Sequence, residues 1–329
     1  MTNATAARPG GGAPNALARL LREPLLGPIL AIIVAVAVFS SISDSFLTSN
    51  NLSLMLQQSV VVGIMAVGQT LIILTAGIDL SVGSIAVMGT IVMAQTVGPN
   101  GPIVALIATL IFCAVAGAIN GLLVTVLRLP PFIVTLGIFT VIQAATRLAA
   151  GSQTFQVEAG VLTALGNQVT IAGFVTTYGV LVMFAVYAFV WYALTQTAWG
   201  RHVFAVGGNP DASRLTGIKT QRVLFSVYLI AGIICAIAAW AALGRIPNAD
   251  PNAYQNANLE TITAVVIGGT SLFGGRGSVV GTLLGMLLVA VLRNGLTQAN
   301  VDNLYQNIAT GILVIVAVAV DQFVRRRSM

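Results

Sequence analysis

The feature that most constrains this chain is a succession of long apolar runs with almost no charge inside them. They lie at about 25–43, 54–76, 80–97, 103–127, 132–149, 173–195, 223–244, 260–272, 278–296 and 304–324. A bilayer crossing takes roughly 20 mostly apolar residues in helical form, because the backbone must satisfy its own hydrogen bonds where no water reaches it. The ten runs therefore predict an all-α integral membrane protein of about ten transmembrane helices. Some are short or broken, as at Gly77-Ile78-Asp79 and Gly274-Gly275-Arg276-Gly277, and a count of eight or nine follows if some runs only dip into the membrane. A soluble fold is excluded by charge: 7% of the 329 residues are charged, against roughly 25% in an average soluble domain. The 34 glycines would be costly in a soluble helical protein but suit closely packed transmembrane helices. Residues 1–24 read as a cytoplasmic arm, disordered over about its first 15 residues. Residues 25–329 read as a single transmembrane domain beginning with an uncleaved first helix.

The basic excess of +6 does not point to nucleic acid, since the cations sit between apolar runs and at the termini and not on one face. It reports topology. Lys and Arg near span ends favour the cytoplasmic side. With an inside N-terminus and ten crossings, the inside segments hold twelve of the fifteen basic residues, and only Arg147, Arg245 and Arg293 fall outside. Both termini are then cytoplasmic. The longest inside connection, from about Gln196 to Gln221, is basic, whereas the outside connections are rich in Asn, Gln, Ser and Pro.

Several chemistries lack their residues. The one lysine, Lys219 in Gly217-Ile218-Lys219-Thr220, has no phosphate-binding loop upstream, so the chain carries no nucleotide engine of the usual kind. The run Gly274-Gly275-Arg276-Gly277 with Gly281 misses the dinucleotide fingerprint by one residue and follows no strand; it reads as a tight turn between helices. The single histidine, His202, has no metal-ligand or nucleophile partner. Cys113 and Cys235 lie within apolar runs without redox spacing. The residues therefore give no metal, no cofactor and no catalytic centre. Asp79 alone is a carboxylate within reach of the spans. A cap for the helix starting near Leu80 and Ser81 is its bland reading, and an ion-coupling group is the alternative.

Within the long basic loop, Asn209 or Asp211 is positioned to cap a short helix after the Gly207-Gly208 turn. Ala212 and Leu215 give that helix an apolar side, and Gly217 ends it. Such a helix can enter a groove on a partner or be a solvated connector. In the spans, Gln69, Thr70, Asn120, Thr135, Gln143 and Asn294 are expensive facing lipid; each lines a path or bonds to a neighbouring helix. The pairs Gly117/Gly121 and Gly281/Gly285 read as close helix packing.

Three segments in order carry a resemblance: Gly68 to Ser84, with Gly77, Asp79, Ser81 and Gly83; the loop Gly200 to Gly217; and Ala264 to Thr282, with Gly268, Gly269, Gly274, Gly275 and Gly277. Asn294-Gly295-Leu296 and Tyr305-Gln306 add a weaker match. From about Leu25 onward the chain resembles the permease subunits of bacterial ABC importers for ribose and related monosaccharides, relatives of the branched-chain amino acid permeases. The resemblance implies a fold like that of type II importers in the bacterial inner membrane. It also implies a second permease subunit, as a homodimer or a heterodimer. Further implied partners are a cytoplasmic ABC ATPase subunit, which binds the ATP, and an extracytoplasmic sugar-binding protein. The segment Gly207 to Gly217 would then be the coupling helix, with Arg201, Gly207, Gly208, Asn209, Asp211, Arg214, Leu215 and Gly217 as coupling residues. Charge reversal at Arg214 or a bulky residue at Gly208 would uncouple hydrolysis from uptake. The implied cargo is a monosaccharide or sugar alcohol; a secondary carrier and a non-transporting scaffold stay open as alternatives.

Overall fold

The computed structural model describes residues 25–158 and 160–326; the N-terminal arm lies outside the described residues. Each of the ten apolar runs carries a helix. In chain order these are α1 (Leu26–Ile42), α2 (Ser49–Leu74), α3 (Val82–Asn100), α4 (Pro102–Thr125), α5 (Pro131–Ala150), α6 (Tyr178–Gln196), α9 (Thr220–Arg245), α10 (Ala257–Ile267), α11 (Val279–Gln298) and α12 (Asn303–Arg326). Two further helices, α7 (Ala198–Gly208) and α8 (Pro210–Leu215), fill the basic loop. Among the described residues, seven helices are long and apolar enough to cross a membrane; α1, α10 and the apolar part of α12 are shorter.

Local chemistry sets the helix starts. Prolines open α4 and α5 at positions whose N–H would have no helical partner anyway. The Thr48, Thr197 and Ser278 hydroxyls accept from the first-turn N–H groups of α2, α7 and α11. One apolar run is shorter than its composition suggests: residues 173–177 are not helical. Strand Gln168–Ile171 pairs antiparallel with Phe174–Thr177. The turn between them has Ala172 and Gly173 both at positive φ, the backbone of a two-residue hairpin turn whose twist matches the strands. A second, two-residue pairing joins Phe155–Gln156 to Asn248–Ala249.

The core is built around α2 and α9, each 26 residues and so about 39 Å long. They run in opposite directions and pack on each other. Helix α9 lies against α3 and α4, and α2 against α10 and α11; α3 contacts α4 and α5, while α10 contacts α11 and α12. The arrays α2–α5 and α9–α12 thus repeat one contact pattern with inverted direction, an organisation common among transporters. Each long helix is followed by a non-helical break, residues 75–81 and 246–256, before the chain resumes as α3 or α10.

Small residues bring these helices close. A β-carbon at Gly117 would collide with the Tyr228 carbonyl and lie 3.0 Å from Gly232 Cα, and one at Gly285 would strike the Ala264 carbonyl. Backbone is the obstacle in each case, so no side-chain adjustment relieves it. Gly117→Val should therefore cost about 1–3 kcal/mol or more by overpacking. The expected result is a lower melting temperature in detergent, with Gly137→Val, whose added carbon meets nothing within 4 Å, close to the parent protein.

Candidate functional site

One end of the bundle gathers the C-terminus of α2, the α7–α8 segment, the start of α9 and the α10–α11 loop. Its surface carries exposed Arg128, Arg201, Arg214, Lys219, Arg222 and Arg276, with exposed Asp211 among them. Gly207 and Gly208 are not a turn, as the sequence suggests, but the last residues of α7. The chain reverses at Asn209, whose side-chain oxygen accepts from Ala212 N–H at 2.9 Å and so caps α8. Gly217, at φ 87°, ends α8 in a left-handed conformation that other residues resist, while Ile218 N–H returns to the Ser213 carbonyl at 3.1 Å. Ser213 anchors α8 inward, and Leu215 stands 90% exposed. So exposed a leucine on a capped, basic-flanked helix is a surface without a partner among the described residues.

Beneath α8 the motif glycines meet. Gly275 N–H donates to the Leu74 carbonyl at 2.9 Å, tying the α10–α11 loop to the end of α2. Gly207 is buried against that bond: a β-carbon there would sit 2.7 Å from Gly275 N and strike the Leu74 carbonyl. Gly274 and Gly275 hold φ of 78° and 72°, and their added carbons would lie 2.7 Å from Ala76 N and 2.6 Å from Gly208 Cα. Gly269 and Gly277 also have positive φ, and an added carbon at Gly277 would lie 2.5 Å from Thr270 Oγ1. Gly268 packs on Gly281 backbone. Three chain segments thus touch through backbone alone at one junction.

From this junction the chain runs back into the bundle. Gly77 is buried, and a carbon added there would lie 2.9 Å from Tyr228 Oη. The buried Asp79 carboxylate accepts from Ser81 N–H and Ser81 Oγ, both at 2.6 Å. Ser81 Oγ in turn accepts from Asn120 Nδ2 at 2.8 Å. The helix begins at Val82, two residues beyond Leu80, with this network holding its N-terminus. There α3 meets the other break: Asn258, in the first turn of α10, donates to the Leu80 carbonyl at 3.4 Å. A carbon at Gly83 would touch Ala257 Cβ at 3.5 Å. Two helix N-termini therefore converge inside the bundle, beside a small cavity lined by Ser84, Gln143, Thr146, Tyr254, Gln255 and Asn258.

A family model described as branched-chain amino acid transport system / permease component matches residues 51–318. The chain belongs to this family. It is 43% identical to the fructose import permease protein FrcC of Rhizobium meliloti over 312 residues, which is 92% of this chain and 87% of that protein. To the ribose import permease protein RbsC of Bacillus subtilis it is 39% identical, covering 90% of this chain and 92% of the relative. To the D-allose transport system permease protein AlsC of Escherichia coli it is 32% identical, covering 91% of each. No solved structure matches the chain.

In this permease the polar span residues have distinct surroundings. Thr70 bonds Thr282 at 2.7 Å, joining α2 to α11, and Thr135 donates to the Ile78 carbonyl at 3.0 Å, joining α5 to the first break. Asn294 and Asn51 exchange amide bonds at 2.8 and 3.0 Å, with Gln298 adding a third at 2.9 Å. Gln143 lines the small cavity. Gln69 is fully buried, and its amide has no partner among the described residues. Charge counting along the sequence assigns Arg245 and Arg293 to the connections between spans and passes over Glu260. Arg293 instead forms an ion pair with the buried Glu260 at 2.8 Å, within the helix packing of α11 on α10. Their separation in sequence hides the pair; a carboxylate inside an apolar run was the available signal.

Proposed function

We propose that this chain is the membrane-spanning subunit of an ATP-driven importer, providing the passage for a monosaccharide or sugar alcohol. The observation that carries the reading is the glycine junction beneath α8. It is a backbone-to-backbone contact that links an exposed, basic, partner-seeking helix to the end of α2, where the first internal break begins, and to the α10–α11 loop. Family membership and relatives named for fructose, ribose and allose import support the cargo class. On this reading the α8 end is cytoplasmic and receives a separate ATPase subunit, which binds and hydrolyses the ATP. The opposite end receives sugar from an extracytoplasmic binding protein, both termini are cytoplasmic, and two permease subunits, as a homodimer, complete the passage in the bacterial inner membrane. Arg201, Asp211, Arg214 and Leu215 form the docking face, while Gly207, Gly208, Asn209 and Gly217 give it its shape. The permease itself catalyses no covalent step; alternating access follows from α8 moving with the ATPase and pulling on the junction.

Arg214→Glu and Leu215→Asp, both at exposed positions, should leave insertion intact. They should abolish sugar uptake and the stimulation of ATP hydrolysis by loaded binding protein, both measured in proteoliposomes. Normal uptake by these variants with the ATPase present would remove the coupling assignment. Uptake that survives ATP depletion but collapses with a protonophore would instead mark a secondary carrier.

A further inference from the structure

At the bundle end opposite α8, the first turns of α2 and the last turns of α11 flank a cavity of about 130 Å³. At roughly 10–15 Å³ per water-sized group, it has room for about ten such groups, close to the heavy-atom count of one monosaccharide. Its wall combines two kinds of surface. Met55 and Met286, both buried, supply an adaptable apolar side. Gln58, Arg245, Glu260 and Arg293 supply convergent polar groups, the composition that fixes a small polar ligand in a pocket.

The ion pair is arranged asymmetrically. The Glu260 side chain is 8% exposed and that of Arg293 40%, with Arg293 Nη1 and Nη2 directed at the carboxylate at 2.9 and 2.8 Å. A purely structural pair at this depth is a weak source of stability, because desolvation opposes the attraction. A guanidinium that reaches the cavity keeps for a ligand the N–H groups that the carboxylate does not take. The carboxylate offers acceptors for hydroxyl protons. Arg245 also lies beside Tyr254, which lines the small cavity where the breaks converge, so the two cavities adjoin through the second break.

We propose that this cavity is a binding station for a neutral monosaccharide inside the permease, with Arg293, Glu260, Arg245 and Gln58 hydrogen-bonding its hydroxyls and Met55 and Met286 facing its C–H surface. The inference rests on the importer reading above and deepens it, since it gives the passage a site of its own at the delivery end.

The test uses the permease–ATPase complex in proteoliposomes with Ala290→Cys, a small residue of the cavity wall, labelled by a membrane-impermeant maleimide. The native Cys113 and Cys235 are buried. Fructose, ribose or galactose should slow labelling in a saturable way, and glucuronate should not. Glu260→Gln and Arg293→Lys, which keep a hydrogen-bonded pair, should raise the half-protecting concentration about ten- to a hundredfold, the loss of a charged hydrogen bond. Gln58→Ala, which leaves the ion pair untouched, should raise it less. If the complex takes up sugar with ATP while no monosaccharide protects the introduced thiol, the binding station is wrong and the importer reading survives. Stronger protection by glucuronate would overturn the neutral-sugar assignment. Protection without ATP-driven uptake would support the station and overturn the importer reading.

Discussion

Gly207→Ala is expected to cut coupled sugar uptake by about tenfold or more, as roughly 1.4 kcal/mol added to the barrier of the coupled step would do, while Gly208→Ala retains most of it. The two glycines are neighbours, and the sequence reading places the uncoupling substitution at Gly208. Their surroundings differ. A methyl group at Gly207 would meet Gly275 N at 2.7 Å and strike the Leu74 carbonyl, the two ends of the hydrogen bond that closes the junction. At Gly208 the nearest atom would be Gly275 Cα at 4.0 Å, ordinary contact distance. Forcing the first pair apart separates α7 from α2 and from the α10–α11 loop, so α8 can still follow the ATPase while the spans do not follow α8. Uptake and binding-protein-stimulated ATP hydrolysis, measured together in proteoliposomes, distinguish the outcomes. Hydrolysis that continues while uptake fails is the uncoupled state. Equal uptake by the two variants would show that the junction transmits nothing.

Asp79→Ala should destabilise the protein by about 2–6 kcal/mol. Two donors, Ser81 N–H and Ser81 Oγ, lose their acceptor in a buried site, at roughly 1–3 kcal/mol for each buried group left unmade. The positive N-terminal end of α3 also loses its nearby carboxylate. Asp79→Asn keeps an oxygen in place of the acceptor and should recover part of the loss. The measurement is the melting temperature of the detergent-solubilised protein. A melting temperature for Asp79→Ala that matches the parent would mean that the network around Ser81 and Asn120 contributes nothing to the fold.

The glycines at 77, 207, 208, 274, 275 and 277 and the carboxylate at 79 stand out in the chain because Gly and Asp are conspicuous between apolar runs. Nothing in their spacing says that Gly207, Leu74 and Gly275 touch, or that Gly208 is the looser of its pair. The hairpin at 168–177 escaped the apolar-run reading because its second strand continues without a break into α6. Its β-branched residues on either side of Ala172-Gly173 were the signal. The Glu260–Arg293 pair was hidden for the opposite reason: charges are counted along the chain, but their cost is set by what surrounds them.

What the sequence determined by itself is that the chain is an all-α membrane protein with a helix in each of its ten apolar runs, and that one loop between them is basic. Both depend on local quantities: how many apolar residues follow one another, and where Lys and Arg interrupt them. Tertiary structure alone decided which backbone atoms lie within contact of the α7–α8 segment, which polar side chains are satisfied by neighbouring spans, and where a cavity opens beside a buried ion pair. Those follow from packing between segments far apart in the chain, where small differences in distance separate a contact from a clash.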